Sequence, residues 1–212
     1  MKFSFLKLNQ VILVIVFAQF VFTMAASLNM PLFAAFVLQD IGAAISVVGF
    51  ASAIYWAAKS IIQLPIARWL DRNHGEIDDF YSLLAGIEIS TIGVFLFYFS
   101  RQTWHIYAIQ GLIALGDALA VPPLFGIFIR HIDPGSEGFE YTLQSSFSFG
   151  AGGALGGAFS GILAGIIGIR ALYLVNGVLM TIGLIILFFL KPYIRPKVPS
   201  TAGRVFLEQK RV

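Results

Sequence analysis

Long apolar runs separated by short polar breaks divide the chain into six stretches, at 11–30, 45–69, 80–99, 105–129, 141–167 and 171–190. Each is long enough to cross a hydrocarbon core of ~30 Å as a helix. In lipid the backbone must satisfy its own hydrogen bonds, so helix is the form these runs predict. The connections at 38–44, 71–79, 100–104, 131–140 and 168–170 are short, which makes consecutive helices antiparallel neighbours. The pattern therefore predicts an all-α membrane protein, with a six-span bundle over 1–190 and a basic tail over 191–212. Pro31 is expected to close the first span and Pro122-Pro123 to interrupt the fourth. Breaks at matching places in two sets of three spans suggest an inverted repeat.

Charge orients the bundle. One side of the alternation carries Lys2, Lys7, Arg68, Arg72, Arg130, Lys191, Arg195, Lys197, Arg204, Lys210 and Arg211; the other carries only Arg101 and Arg170. Flanking cations gather on the cytoplasmic side of a bilayer, so both termini are expected there, in a cytoplasmic or plasma membrane. The apolar sequence continuing to Leu38 is long for a secretory signal, so a retained first helix is expected. With 58% apolar and 12% charged residues, the chain lies outside ordinary soluble usage. The net charge of +3 is scattered over loops and tail, which gives no nucleic-acid footprint. There is no cysteine, which removes disulfides, thiolate metal sites and cysteine nucleophiles. The three scattered histidines lack ligand spacing, and no metal or cofactor is expected.

Within the spans the polar residues fall in stripes. Gln19, Thr23 and Ser27 share one face of the first span, Tyr55, Lys59 and Gln63 one face of the second, and Tyr107, Gln110 and Asp117 one face of the fourth. Lys59 lies about 16 Å and Glu88 about 12 Å inside their helices. An ionised group at such depth costs ~3 kcal/mol or more, so it should face protein or water and have a partner. Two arrangements are open: a hydrated path in which Lys59 and Asp117 meet a solute or ion, or a structural pair of Lys59 with Asp117 or Glu88. Glu88, on a more peripheral span, is expected to be structural. Gly153, Gly157, Gly161 and Gly165 recur at four-residue steps in the fifth span, as a close-packing seam or a sliding contact requires.

The segment Ala67-Arg68-Trp69-Leu70-Asp71-Arg72-Asn73-His74-Gly75-Glu76 resembles the signature loop of the major facilitator superfamily, Gly-x-x-x-Asp-(Arg/Lys)-x-Gly-(Arg/Lys)-(Arg/Lys). Asp71 and Arg72 match, Ala67 stands for the first glycine, and Gly75 comes one place late. Acids at Glu76, Asp78 and Asp79 replace the closing basic pair. Gln110-Gly111 is similar to the family's fourth-helix pattern, with Tyr107 where an arginine is expected. The glycine-rich fifth span leading into Gly168-Ile169-Arg170-Ala171-Leu172-Tyr173 resembles its fifth-to-sixth passage. The resemblance covers six spans where members usually have twelve, so it implies a half bundle. It further implies a secondary transporter of a small solute, with spans 1 and 4 lining a cavity, spans 2 and 5 flanking it and spans 3 and 6 outside. Alternating access needs two bundles, so a homodimer or a second half-transporter is the implied partner, with Asp71 meeting a helix end across the junction.

Two rivals stand beside this reading. One is a non-transporting or truncated subunit that binds another membrane protein. The other is an intramembrane serine protease, for which Ala158-Phe159-Ser160-Gly161 is the nearest nucleophile motif. His74, His105 and His131 all lie in loops or at span ends, so no base is placed for it and no enzyme is expected.

Overall fold

A computed structural model describes residues 8–72 and 75–195. Asn73, His74, the cations at the extreme N-terminus and the basic tail beyond Arg195 lie outside them. Among the described residues six helices are long and apolar enough to cross a membrane: α1 (Gln10–Asp40), α2 (Ser46–Leu70), α3 (Ile77–Phe99), α4 (Thr103–His131), α5 (Glu137–Ile167) and α6 (Ile169–Tyr193). The Asn9 side chain caps α1 by accepting from the Val11 N–H at 2.9 Å, as a polar N-cap does. Gly168, at φ 85°, makes the turn from α5 to α6 in a conformation that favours glycine.

Neither proline site ends its helix. At Pro31 the chain tightens into a 3₁₀ turn, Met30–Leu32, and runs on to a π-helical turn, Phe36–Asp40. α4 continues through Pro122 and Pro123. Pro123 has no N–H for the carbonyl of Leu119 four residues back; the Ser82 hydroxyl of α3 donates to that carbonyl at 2.9 Å instead. A neighbouring hydroxyl re-satisfying a freed backbone group is what lets proline stay inside a membrane helix.

The packing has a hidden symmetry. α2 lies against α4 and α5 against α1; α6 lies against α1 and α3 against α4; α3 and α6 touch each other. Exchanging the first with the fourth helix, the second with the fifth and the third with the sixth leaves these principal contacts unchanged. The exchanged helices cross in opposite directions, so this is an inverted three-plus-three repeat. Close approach is bought with small residues. A Cβ on Gly86 of α3 would sit 2.5 Å from the Gly116 carbonyl of α4, and one on Gly152 of α5 would sit 2.8 Å from the Phe20 carbonyl of α1. The outer members are α2 and α5: 11% and 17% of their apolar windows are buried, against 50% for α3.

Candidate functional site

The α2 and α4 stripes meet at the centre of the bundle's depth. Tyr55 and Lys59 stand one turn apart on α2, and Asp117 is the middle residue of the 29-residue α4. The Tyr55 hydroxyl donates to Asp117 Oδ2, and Lys59 Nζ donates to that same hydroxyl at 3.0 Å. Lys59 and Asp117 are 3.7 Å apart, with side chains 15% and 26% exposed, so the ion pair is held partly through the tyrosine. From α3, Ser90 donates to Asp117 Oδ1 at 2.9 Å. The ammonium also lies 5.3 Å from the Tyr55 ring centre and 5.5 Å from that of Trp56, within cation–π reach. Asp117 is thus met by two hydroxyls and a cation from two other helices, a donor set that suits a carboxylate.

The other expected residues divide. Gln63 continues the α2 stripe one turn past Lys59 and is half-buried, as are Tyr107 and Gln110 on α4. The α1 stripe turns towards α5: Gln144 Nε2 donates to Gln19 Oε1 at 2.6 Å, and Thr23 and Ser27 lie against Gly152 and Gly156. In the motif loop, Ala67 accepts the Asp71 N–H at 3.0 Å, closing α2. Asp71 and Arg72 are exposed, and Gly75 is buried. On α5, a Cβ at Gly157, Gly161 or Gly165 would meet nothing within 4 Å, and one at Gly153 would make ordinary contact with Ser27 and Thr23. The seam against α1 runs one residue earlier. Gly152 and Gly156 make the close approach, flanked by Ser148 donating to the Val16 carbonyl at 2.8 Å and Ser160 to that of Leu28 at 2.6 Å. Ser160 is therefore held on the backbone of α1. Glu88 is exposed on α3.

Two clusters escaped the sequence reading. Where α1 begins, Arg130 of α4 bridges Glu76 at 2.9 Å and Asp79 of α3; Glu76 also accepts the Arg195 N–H at 3.1 Å, and Asn9 donates to the His131 carbonyl at 3.0 Å. The acids at the place of the family's closing basic pair were the visible signal, and their cation lies fifty residues on. At the other end, the Arg170 guanidinium donates to the carbonyls of Tyr98, Ser100 and Asp40, neutralising the C-terminal dipole of α3. Among the described residues no group of three or more His, Asp or Glu is placed to hold a metal ion. A surface groove of about 590 Å³, lined by Trp69, Ile77, Asp78, Tyr81, Ser82 and Leu119, lies towards the motif-loop end of α2 and α3, away from Lys59 and Asp117. It is shallow and mostly apolar, and the polar node is the better chemical candidate.

An inverted six-helix bundle with a charged node at mid-depth defines an integral membrane protein of the kind built from repeated helical triplets. The family model of the Major Facilitator Superfamily matches residues 15–211, and the chain belongs to that family. No curated protein sequence matches it. Among solved structures it is similar to the in meso crystal structure of the POT family transporter PepTSo, with a TM-score of 0.67 and 17% identity over 91% of this chain and 39% of that one. At that identity the likeness concerns the fold, and the chain spans well under half the length of the solved transporter.

Proposed function

We propose that the chain is a secondary transporter of a small polar solute, acting as a half-unit that pairs with a second six-helix bundle and works by alternating access. The observation that carries this reading is the Tyr55–Lys59–Asp117 node, charged, at mid-depth, partly open, and set on the two helices that face each other across the repeat. Intramembrane ionisable groups mark solute or ion paths more often than they serve packing alone. The sparsely buried flanks of α2 and α5 are the surfaces a second bundle needs, and a second copy is the simplest source of one. Both termini are assigned to the cytoplasm from the distribution of cations.

A second reading, a non-transporting subunit, draws on the mutual satisfaction of Lys59 and Asp117 and on the Gln19–Gln144 pair, which spends the α1 stripe inside the bundle. Proteoliposome uptake over a panel of amino acids, sugars and organic acids separates the two. Asp117→Asn removes the charge but keeps the shape, and should cut uptake about tenfold or more at unchanged folding. Equal uptake by wild type and variant for every accepted solute would sink the site assignment. No uptake of any solute by the wild type would favour the subunit.

A further inference from the structure

Three buried polar atoms lie outside the mid-depth node and outside both charged clusters. They are Asn29 Nδ2 on α1 and Tyr173 Oη and Asn176 Oδ1 on α6, and among the described residues none has a hydrogen-bond partner. Their residues are 6%, 3% and 4% exposed. Buried amide and phenol groups without a partner are rare, because each gives up its hydration for nothing in return. The three are neighbours. Asn176 Nδ2 donates to Asn29 Oδ1 at 3.2 Å, and Tyr173 stands one turn before Asn176 on the same face of α6. The Tyr173 hydroxyl adjoins the Asn29 amide without a hydrogen bond of good geometry between them. Packing closes the place on either side along α6. The Tyr173 ring packs on Phe36 and Phe97, 4.8 Å from each ring centre; further on, the Phe22 ring lies where a Cβ on Gly183 would come within 2.3 Å.

We infer that these three groups are a binding site for one buried water molecule, held between α1 and α6. Two amides can join through two reciprocal N–H···O bonds, and here only one is made. The donor and the acceptor of the other remain, with a hydroxyl beside them that both donates and accepts. A water accepts from Asn29 Nδ2, donates to Asn176 Oδ1 and makes its third bond with the Tyr173 hydroxyl, about the number of partners typical of a buried water. A metal cation does not fit. Reversing both amides lets Asn29 donate to Asn176 but leaves Asn176 Nδ2 unpaired, so in either orientation a donor remains that a cation cannot satisfy. Asn29 is also the last residue of the α-helical part of α1, just before the 3₁₀ turn that contains Pro31. The water therefore ties the joint where α1 changes helix type to the inner face of α6. The inference concerns α1 and α6 alone and stands whether or not the chain transports anything.

Solid-state NMR of the full chain in lipid bilayers, with isotope-labelled asparagine and glutamine side chains, reads the water directly. The chain has four asparagines, so single substitutions assign Asn29 and Asn176. The control is Gln144, a buried amide at 1% exposure that donates straight to Gln19. Magnetisation started on water should reach the Asn29 and Asn176 amides severalfold faster than it reaches Gln144. In Asn176→Leu the acceptor is gone, and the build-up at Asn29 should fall to that of Gln144. Tyr173→Phe keeps the ring packing on Phe36 and Phe97, which holds the fold where Asn176→Leu does not, and should slow the build-up at both asparagines severalfold. Wild-type asparagine amides no faster than Gln144 would mean that the three side chains turn to satisfy one another in a dry contact, and would overturn the inference. Fast build-up that survives both substitutions overturns it as well, since the water then belongs to another site.

Discussion

Removing the Arg130 guanidinium should be among the most damaging single changes in the bundle. Its Nε is 2.9 Å from Glu76 Oε1 and its second arm holds Asp79; the two carboxylates are 2% and 6% exposed, while Arg130 itself is 39% exposed. In Arg130→Ala both acids keep their burial and lose their cation. Glu76 retains the Arg195 N–H at 3.1 Å, which softens the loss on one side only. Breaking a buried pair by deleting one partner costs about 3–5 kcal/mol. With the arginine open to water, the lower end applies, about 3 kcal/mol. At roughly 2–4 °C per kcal/mol for a chain of this size, the melting temperature in mild detergent should fall by about 10 °C. Arg130→Lys keeps the charge but reaches one carboxylate, and should lose about half as much. The control is Arg130→Ala combined with Glu76→Gln and Asp79→Asn, which removes the stranded charges and should recover most of the loss. A single variant as stable as wild type, or a triple variant no better than the single, would refute the reasoning.

Two further outcomes follow from the packing. Gly156→Val should separate α5 from α1, since even a Cβ there falls 2.7 Å from that of Ser27; overpacking of this kind costs about 1–3 kcal/mol. Gly161→Ala meets nothing within 4 Å and should be neutral or stabilising by up to about 1 kcal/mol in the isolated bundle, so thermal unfolding of the two variants reads which glycine row is the seam. Arg170→Ala should free the carbonyls of Tyr98, Ser100 and Asp40 and speed proteolysis of the connections flanking α1 and α3. Protease resistance equal to wild type would show that the carbonyls find other donors.

The number of helices and their order were legible because an apolar run in lipid has only one way to satisfy its backbone. Helix limits were less so. Pro31 and Pro122-Pro123 read as breaks from local chemistry, and the hydroxyl that carries α4 past Pro123 comes from Ser82, on another helix. The glycine seam shows a different limit. Gly153, Gly157, Gly161 and Gly165 have the cleaner repeat, yet Ser148, Gly152, Gly156 and Ser160 hold the same four-residue spacing one position earlier. Adjacent positions on a helix differ by about 100°, and a period alone does not say which of two small-residue rows faces inward. The contacts with Val16, Phe20 and Leu28 decide it.

The charges show the same dependence on rotation, with a chemical consequence. From sequence, Lys59 had two candidate partners, Asp117 and Glu88. α3 presents Ser90 to α4 through the close Gly86–Gly116 crossing, and a residue two places away on a helix points about 160° off. Setting Ser90 on Asp117 therefore swings Glu88 to the outer face. A Cβ on Gly116 would fall 2.6 Å from the Gly86 carbonyl, so α3 has little freedom to roll. The pair Gly86 and Gly116, silent in any list of chemically active residues, is what separates the two acids, leaving Asp117 to the bundle's own polar node and Glu88 to whatever lies beyond the bundle.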